Sequence, residues 1–244
     1  MICFSTIAYL HGKVMGLETA AKALVSMLRN ETVRGVPVPA VIQTAKHVQD
    51  LFPLTDFKVR LDTSGSALGK ARARALHWAA SEHADVWLSC DDDCTASPGT
   101  IQQMVRVVQA ERKPRIVVAP FPLRAERDSG RVNLVFGPGE PIERGVLVPI
   151  KYGGFGLVAV NGYALKAIVD QRPNWLDDDG VRKPLVFNCE VLPGFSWLGE
   201  DYSFFEQVRP FCECYALIDG ETTHDGHTLG LEQVGELYRA QGAL

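Results

Sequence analysis

The sequence predicts an α/β fold with a mixed, mostly parallel sheet flanked by helices. Over residues 1–120, short apolar segments alternate with longer segments whose apolar residues recur at helical spacing. Helices between consecutive strands are typical of parallel sheets. Beyond residue 125 the predicted strands shorten and the loops lengthen. We therefore expect one domain whose second half is less regular than its first.

In the first half, each predicted strand is a short apolar run and each predicted helix a longer periodic one. The run Phe57–Leu61 alternates with charged residues, as a half-exposed strand does. Ser97 followed by Pro98 favours a helix start, because serine caps the first turn and proline fits its first position. The predicted strands are Ile2–Ala8, Phe57–Leu61, Asp85–Cys90 and Ile116–Ala119, and the predicted helices are Leu17–Leu28, Val41–Phe52, Leu68–His83 and Ile101–Ala110.

The second half contains short strands, one clear helix start and one long irregular segment. Acids directly after Gly199 suit the first turn of a helix. Between Gln171 and Gly199 three prolines interrupt the chain without any period, which predicts a long loop. Within it, Asp177–Asp179 follows no strand and is predicted to be a solvated turn. The predicted strands are Val132–Phe136, Val146–Ile150, Phe155–Val160 and Tyr215–Ile218.

The composition argues against several classes of protein. Of 244 residues 46% are apolar, and 25 basic against 29 acidic residues give a net charge of −4, whereas a dedicated nucleic-acid binder usually has a basic surplus. No apolar run approaches the roughly 18 residues of a membrane span. The first residues lack the basic start of a signal peptide, which predicts a cytoplasmic protein. The cysteines lack the spacing of zinc modules and are expected to be buried thiols.

Three adjacent carboxylates, Asp91, Asp92 and Asp93, end a predicted buried strand. Ligands of α/β sheets bind beyond the carboxyl ends of the strands. Clustered carboxylates need a cation or a proton, and Mg²⁺ or Mn²⁺ commonly takes one or two of them. The run therefore predicts a metal site, with an acidic surface turn or a helix cap as the alternative.

Four further groups of residues are candidates for a site. On the helix after Leu68, Lys70 and Arg74 share a face from which Arg72 is offset. Arginines near a helix start suit a diphosphate, with a solvated basic face as the alternative. Glu200 and Asp201 suit either a general base or a helix start, where a lowered pKa is expected for Asp201. The glycines of 153–156 permit the close approach of a ligand or a tight bend. His224 and His227 form a pair of the kind that binds metals.

The order of these motifs resembles the GT-A class of nucleotide-sugar-dependent glycosyltransferases, in particular the compact family-2-like enzymes of bacteria and phages. The resemblance covers residues 1–228 and lies in the combination of motifs: Ala71-Arg72-Ala73-Arg74, Asp91-x-Asp93, the glycine-rich strand, Gly199-Glu200-Asp201 and His224-x-Gly226. It implies a GT-A-like, Rossmann-like fold and a cytoplasmic location in a bacterium or a phage-infected host cell.

The resemblance also implies a role for each matching position. The implied metal ligands are Asp91, Asp93 and His224; the implied donor-binding residues are Thr6, Asp62, Arg72, Arg74, Asp92 and Gly154; and the implied catalytic carboxylates are Asp201 and, second, Glu200. Alanine stands where the family usually has asparagine after its helix arginine, so the choice between Arg72 and Arg74 stays open. His227 has no counterpart.

The implied activity moves a sugar from a nucleoside-diphosphate sugar to an acceptor hydroxyl with Mn²⁺ or Mg²⁺ present. A carboxylate base is required if the configuration inverts and not if it is retained. The expected acceptor is a glycan, a small molecule, a protein or a modified nucleobase in DNA. Trp175 and Trp197 are expected either to stack on it or to be buried as hydrophobic anchors. Residues 1–125 are expected to bind the nucleotide sugar, residues 126–228 the acceptor, and residues 229–244 to form a C-terminal helix or tail.

Two alternative functions stay open. A nucleotidyltransferase that makes nucleotide sugars shares a similar core, although the stretch after the first strand has only Gly12 and Lys13 of a phosphate-binding loop. A catalytically inactive nucleotide-sugar-binding module is the other alternative. A DNA acceptor would need a basic patch, for which Arg112, Arg115, Arg124, Arg127 and Arg131 are candidates, with plain surface exposure as the simpler interpretation.

Overall fold

The computed structural model describes residues 1–8, 57–63, 68–91, 94–121, 132–139, 146–191, 197–224 and 227–229. Along residues 6–8, 57–63, 223–224 and 227–229 it describes the backbone alone. The two helices predicted at Leu17–Leu28 and Val41–Phe52 lie outside the described residues.

The described residues form a mixed α/β fold, as the sequence predicts. The helices are α1 (Leu68–Ser81), α2 (Pro98–Gln109), α3 (Gly162–Gln171) and α4 (Glu200–Val208). The strands are β1 (Ile2–Ala8), β2 (Phe57–Thr63), β3 (Val86–Asp91), β4 (Cys94–Ala96), β5 (Arg115–Val118), β6 (Leu134–Phe136), β7 (Leu147–Gly153), β8 (Leu157–Asn161), β9 (Asn174–Leu176), β10 (Arg182–Pro184), β11 (Glu190–Val191), β12 (Trp197–Leu198), β13 (Glu213–Leu217), β14 (Thr222–His224) and β15 (His227–Leu229).

An eight-stranded sheet in the order β2-β1-β3-β8-β5-β13-β7-β6 is the centre of the fold. Strand β1 is parallel to β2 and β3, and β5 is parallel to β13. Strand β8 runs antiparallel between β3 and β5, and β7 runs antiparallel between β13 and β6. All strands of this sheet except β7 and β8 therefore point in one direction, which confirms the predicted mixed, mostly parallel sheet.

Helices cover both faces of this sheet. Helix α2 starts as predicted, since Ser97 accepts a hydrogen bond from the backbone N–H of Thr100 and Pro98 occupies the first turn. Its apolar stripe packs on one face together with Val86 and Leu88. Helices α1, α3 and α4 pack on the opposite face with Trp87, because successive side chains of a strand alternate between faces.

Two elements differ from the sequence-based expectation. Helix α3 was not predicted; it begins after Asn161, whose side chain accepts a hydrogen bond from the N–H of Ala164. The segment predicted as one long loop contains two short antiparallel pairs, β9 with β10 and β11 with β12. Strands this short have too few residues to show a period of two, so their pairing was not visible in the sequence.

The fold places the end of β3 beside the start of β8 and the first turn of α4. The N–H of Asp91 donates to the carbonyl oxygen of Gly156 at 3.0 Å, and the N–H of Phe155 donates to the carboxylate of Asp201 at 3.2 Å. Because α1 packs on this face of the sheet, its side chains reach the same region. The carboxyl ends of β1, β2 and β3 meet at this edge of the sheet.

Gly69 provides a test of how closely α1 packs against the rest of the domain. A Cβ atom at this position would lie 2.1 Å from the carbonyl oxygen of Phe187. Since a backbone atom cannot move aside as a side chain can, Gly69→Ala should lower the free energy of unfolding by about 1–3 kcal/mol. Urea unfolding measures this. Gly99→Ala in α2 is the matched control, because a Cβ there meets nothing nearer than 3.8 Å; an equal loss in both variants would contradict the prediction.

Candidate active site

A buried arginine lies at the centre of the candidate site. The side chain of Arg72 on α1 is 1% exposed. Its Nη2 donates to both carboxylate oxygens of Asp91 at 3.0 Å each. Its Nη1 donates to Asp201 and, at 3.2 Å, to Oε1 of Glu200. The guanidinium carbon also lies 5.0 Å from the centre of the Phe155 ring. We call Arg72, Asp91, Glu200 and Asp201 the Arg72 cluster.

Three elements bring the Arg72 cluster together. Arg72 comes from the first turns of α1, Asp91 is the last residue of β3, and Glu200 and Asp201 begin α4. Gly199 is the N-cap of α4 and provides no side-chain cap, so the helix start is stabilised by its acidic first turn. The resemblance grouped these residues as parts of one site, and the structure brings all three carboxylates within hydrogen-bonding reach of Arg72.

The environment of Asp201 differs from the one expected at a helix start. One carboxylate oxygen accepts from Arg72 and the other from the N–H of Phe155, so Asp201 does not cap its own helix. Burial raises its pKa to about 7; Asp91 and Glu200 also raise it, and Arg72 opposes them. The expected lowering of this pKa was therefore wrong, because desolvation and two like charges outweigh the helix dipole and the guanidinium.

At Arg72 the charges of the neighbouring carboxylates outweigh the effect of burial on the pKa. Burial alone would lower the pKa of its guanidinium, but Asp201, Asp91 and Glu200 together raise it above its ordinary value. Arg72 therefore stays charged. The Arg72 cluster thus holds three carboxyl groups against one guanidinium.

The three carboxylates of the Arg72 cluster are more exposed than the guanidinium that they surround. The carboxylates of Asp91, Glu200 and Asp201 are 23%, 27% and 27% exposed, so they remain accessible from solvent while Arg72 is not. Among the described side chains no group of three or more histidine, cysteine or acidic residues is arranged to hold a metal ion. Asp92 and Asp93 lie outside the described residues, and so does the side chain of His224.

The backbone of His224 pairs with the residue that follows the acidic run in sequence. In the ladder between β14 and β4, His224 is opposite Cys94, the residue that directly follows Asp93. His227 is opposite His224 in the ladder between β14 and β15. The metal-binding roles of Asp91, Asp93 and His224 stay predictions.

The backbones of Thr6 and Asp62 lie at the same edge of the sheet as Asp91. Ile7 is opposite Asp62 on one side and opposite Asp91 on the other, and Thr6 is opposite Cys90. Neighbouring strands are about 4.8 Å apart, so the backbones of Asp62 and Asp91 are separated by about 10 Å. Their roles in donor binding stay predictions.

The glycine-rich segment packs closely against the chain itself. A Cβ atom on Gly154 would lie 2.1 Å from Nδ2 of Asn133, and one on Gly156 would lie 2.6 Å from Cδ2 of Phe121. The N–H of Gly154 donates to the carbonyl oxygen of Asn133 at 2.9 Å. These contacts are a sufficient structural reason for both glycines, and the role of Gly154 in donor binding stays a prediction.

A second ionic cluster surrounds Asp177, whose side chain is fully buried. Arg74 donates to its two oxygens at 2.5 and 2.6 Å, and Lys183 lies 2.7 Å from it. Lys70 lies 3.4 Å from Asp177 and 5.1 Å from the centre of the Trp175 ring. The predicted solvated turn is therefore wrong at Asp177, because the β9–β10 hairpin folds onto α1 and its carboxylate meets three cations. Arg74 stays a prediction as a donor-binding residue.

Sequence reasoning missed this second cluster for a physical reason. Lys70 and Arg74 were expected on one helix face, and they do share Asp177. No local pattern indicates which distant acid they meet. Arg115 was likewise a candidate for a basic surface patch, but it is 2% exposed and pairs with Glu213 at 3.0 Å. Arg124, Arg127 and Arg131 lie outside the described residues.

Comparison with known proteins shows a likeness of fold. No protein-family model and no curated protein matches the chain. The crystal structure of A197 from STIV is 17% identical over 92% of this chain and 85% of its own, with a TM-score of 0.53. At that identity the likeness shows the fold alone.

Two other solved structures align over nearly the whole chain with lower scores. One is a UDP-glucose pyrophosphorylase complexed with UDP-glucose, which is 12% identical, with an alignment that covers 99% of both chains and a TM-score of 0.45. The other is a glycosyltransferase involved in the glycosylation of the major capsid of PBCV-1. It is 12% identical, with an alignment that covers 97% of this chain and 99% of its own, and a TM-score of 0.42. At TM-scores below 0.5 these likenesses carry no argument about function. Within the described part of the chain no helix has the length and apolar character needed to traverse a bilayer.

Because Asp177 is buried, we expect it to contribute more to the thermal stability of the protein than its neighbour Asp178. Asp177→Asn should lower the thermal midpoint at pH 7 by roughly 5 °C or more, because three cations lose their shared counter-charge. Hydrogen bonds from Arg74, Lys183 and the backbone N–H of Asp178 hold the pKa of Asp177 below its ordinary value of 3.8. The advantage of the wild type should therefore persist above about pH 4 and shrink as the pH falls further.

Thermal unfolding monitored by circular dichroism between pH 3 and pH 8 measures this difference. Asp178→Asn is the control, because the Asp178 side chain is 79% exposed. A control variant that is destabilised as strongly as Asp177→Asn would contradict the prediction.

Proposed function

We propose that this protein is a metal-dependent glycosyltransferase that moves a sugar from a nucleoside-diphosphate sugar to an acceptor hydroxyl. The observation that supports this most is the Arg72 cluster, in which acids from the end of β3 and the start of α4 meet. These are the positions at which the motif order of the family calls for a donor-side and an acceptor-side carboxylate. The fold and the edge of the sheet at which the cluster lies agree with this proposal.

Asp201 is the proposed general base. It takes the proton of the acceptor hydroxyl as that oxygen attacks the anomeric carbon, and the bond from that carbon to the diphosphate oxygen breaks. The nucleoside diphosphate then leaves with the electron pair. A pKa of about 7 suits this role, because a base is most effective when its pKa lies near the working pH.

Asp91, Asp93 and His224 are the proposed ligands of the divalent cation, and Thr6, Asp62, Asp92 and Gly154 the proposed contacts to the donor. When bound, the cation would offset the negative charge that develops on the diphosphate as it leaves. The negative excess of the Arg72 cluster supports a cation at this edge of the sheet. Residues 126–228 are the proposed source of the acceptor site.

The function is tested by the consumption of nucleotide sugars. Wild-type protein with Mn²⁺ and a panel of UDP-, GDP- and dTDP-sugars should release nucleoside diphosphate from one of them. Asp93→Asn should lose Mn²⁺-dependent donor binding, measured by calorimetry, while its circular dichroism spectrum stays unchanged. Asp170→Asn is the control, since this exposed acid pairs only with Lys166 among the described residues.

Two outcomes would refute the proposal. Release of pyrophosphate from a nucleoside triphosphate and a sugar phosphate, without use of nucleotide sugars, would indicate a nucleotidyltransferase. Binding of a nucleotide sugar without any turnover, even with a panel of glycan, small-molecule, protein and DNA acceptors, would indicate a binding module.

The base assignment predicts a pH profile. Below about pH 7 the carboxyl of Asp201 is increasingly protonated, so turnover should fall about tenfold per pH unit there and level off above it. Asp201→Asn should lose roughly 10²- to 10⁴-fold in turnover while donor affinity stays near normal. Initial rates at saturating donor from pH 5 to pH 9 measure both effects.

Glu200→Gln is the matched variant for this test, because Glu200 is the neighbouring acid in the same helix turn and also contacts Arg72. A loss confined to Glu200→Gln would move the base to Glu200. Full turnover in both variants would indicate that no carboxylate base is needed, as in a retaining reaction.

A further inference from the structure

We infer that Arg72 is a positioning residue that holds the donor-side carboxylate of Asp91 and the acceptor-side carboxylate of Asp201 in a fixed relation, rather than a direct ligand of the diphosphate. This inference rests on the proposed function and deepens it. It differs from the role that the sequence resemblance implies for Arg72, which is contact with the leaving group.

The burial of Arg72 is the first argument. A residue that contacts a diphosphate must offer donors to the space that the diphosphate occupies. Arg72 is 1% exposed, and its two terminal nitrogens already donate to carboxylates of the protein. The Phe155 ring lies 5.0 Å from the guanidinium carbon. The exposed parts of the cluster are its carboxylates, so a ligand in solution meets those before it meets Arg72.

The shape of the guanidinium is the second argument. It is planar, and its two terminal nitrogens are fixed relative to each other by the same carbon. Nη2 holds Asp91 through both carboxylate oxygens, and Nη1 holds Asp201. Any displacement of one carboxylate therefore turns the group that holds the other. A lysine carries the same charge but a single nitrogen, so it cannot impose this relation.

The arrangement of the arginines on α1 is the third argument. Arg74 lies two residues further along the same helix, is 31% exposed and binds Asp177 of the β9–β10 hairpin. Charge alone thus does not bring an arginine of this helix into the candidate site. Only Arg72, among the described arginines, connects the end of β3 to the start of α4.

The inference is tested by two double-mutant cycles, because a residue that acts through another loses its effect once that other is removed. In the first cycle, Arg72→Lys is combined with Asp201→Asn and turnover is measured at saturating donor. In the second, Arg72→Lys is combined with Asp91→Asn and calorimetry measures binding of Mn²⁺ with UDP, GDP or dTDP, whichever binds to the wild type.

The expected result is strong non-additivity in both cycles. Arg72→Lys alone should lower turnover about 100-fold, the scale of a small misplacement of a catalytic group, and it should weaken Mn²⁺–nucleotide binding. In the Asp201→Asn background Arg72→Lys should change turnover by less than about threefold, and in the Asp91→Asn background it should change the affinity by less than about threefold.

Arg115→Lys is the matched control for the loss of a buried arginine. Arg115 is 2% exposed, pairs with Glu213 and lies at the start of β5, away from the Arg72 cluster. This variant should be destabilised while its turnover and nucleotide affinity at a temperature below its unfolding transition stay near those of the wild type.

Independent, multiplying losses in the two cycles would overturn the inference, because they are the result expected of a direct diphosphate ligand. Failure of Arg72→Lys to fold, when Arg115→Lys folds, would overturn it in favour of a purely structural role. A wild type that binds Mn²⁺ and nucleotide but transfers no sugar would refute the proposed function alone, and the binding cycle would still decide the role of Arg72. A wild type that binds no nucleotide would refute both.

Discussion

The burial of one guanidinium charge is the constraint on which the candidate site depends. An unpaired ion in a protein interior costs several kcal/mol, so Arg72 is tolerable only with counter-charges around it. Asp91, Glu200 and Asp201 supply them from β3 and α4. The same contacts tie α1 to the end of one strand and the start of another helix. The packing of α1 against these two elements therefore also assembles the Arg72 cluster.

Helix α1 organises two regions of the molecule through arginines that point to different elements. Arg72 binds the carboxylates at the edge of the central sheet, whereas Arg74, with Lys70, holds the β9–β10 hairpin through Asp177. The hairpin belongs to the region proposed for the acceptor, and the sheet edge to the region proposed for the donor. A single helix thus sets the relative placement of the two proposed halves of the site.

The properties of the site follow from a difference in number and burial between its one guanidinium and its three carboxylates. The single guanidinium offsets three carboxylates, so the pKa of Asp201 rises to about 7 although Arg72 is in contact with it. A carboxyl of that kind exchanges protons near neutral pH, which is the property required of a general base. The three carboxylates also stay partly exposed to solvent, whereas the guanidinium does not.

The sequence by itself determined the alternation of strands and helices and the residues that could form a site. Apolar periodicity and helix-capping residues predict local features. These are the strand before Asp91, the capped start of α2 and the acidic first turn of α4. Tertiary structure alone decided that Arg72 meets Asp91 and Asp201, that Asp177 is buried against Arg74, and that Asp201 is desolvated. Pairings between distant residues and the loss of water around a charge depend on packing, which no local pattern encodes.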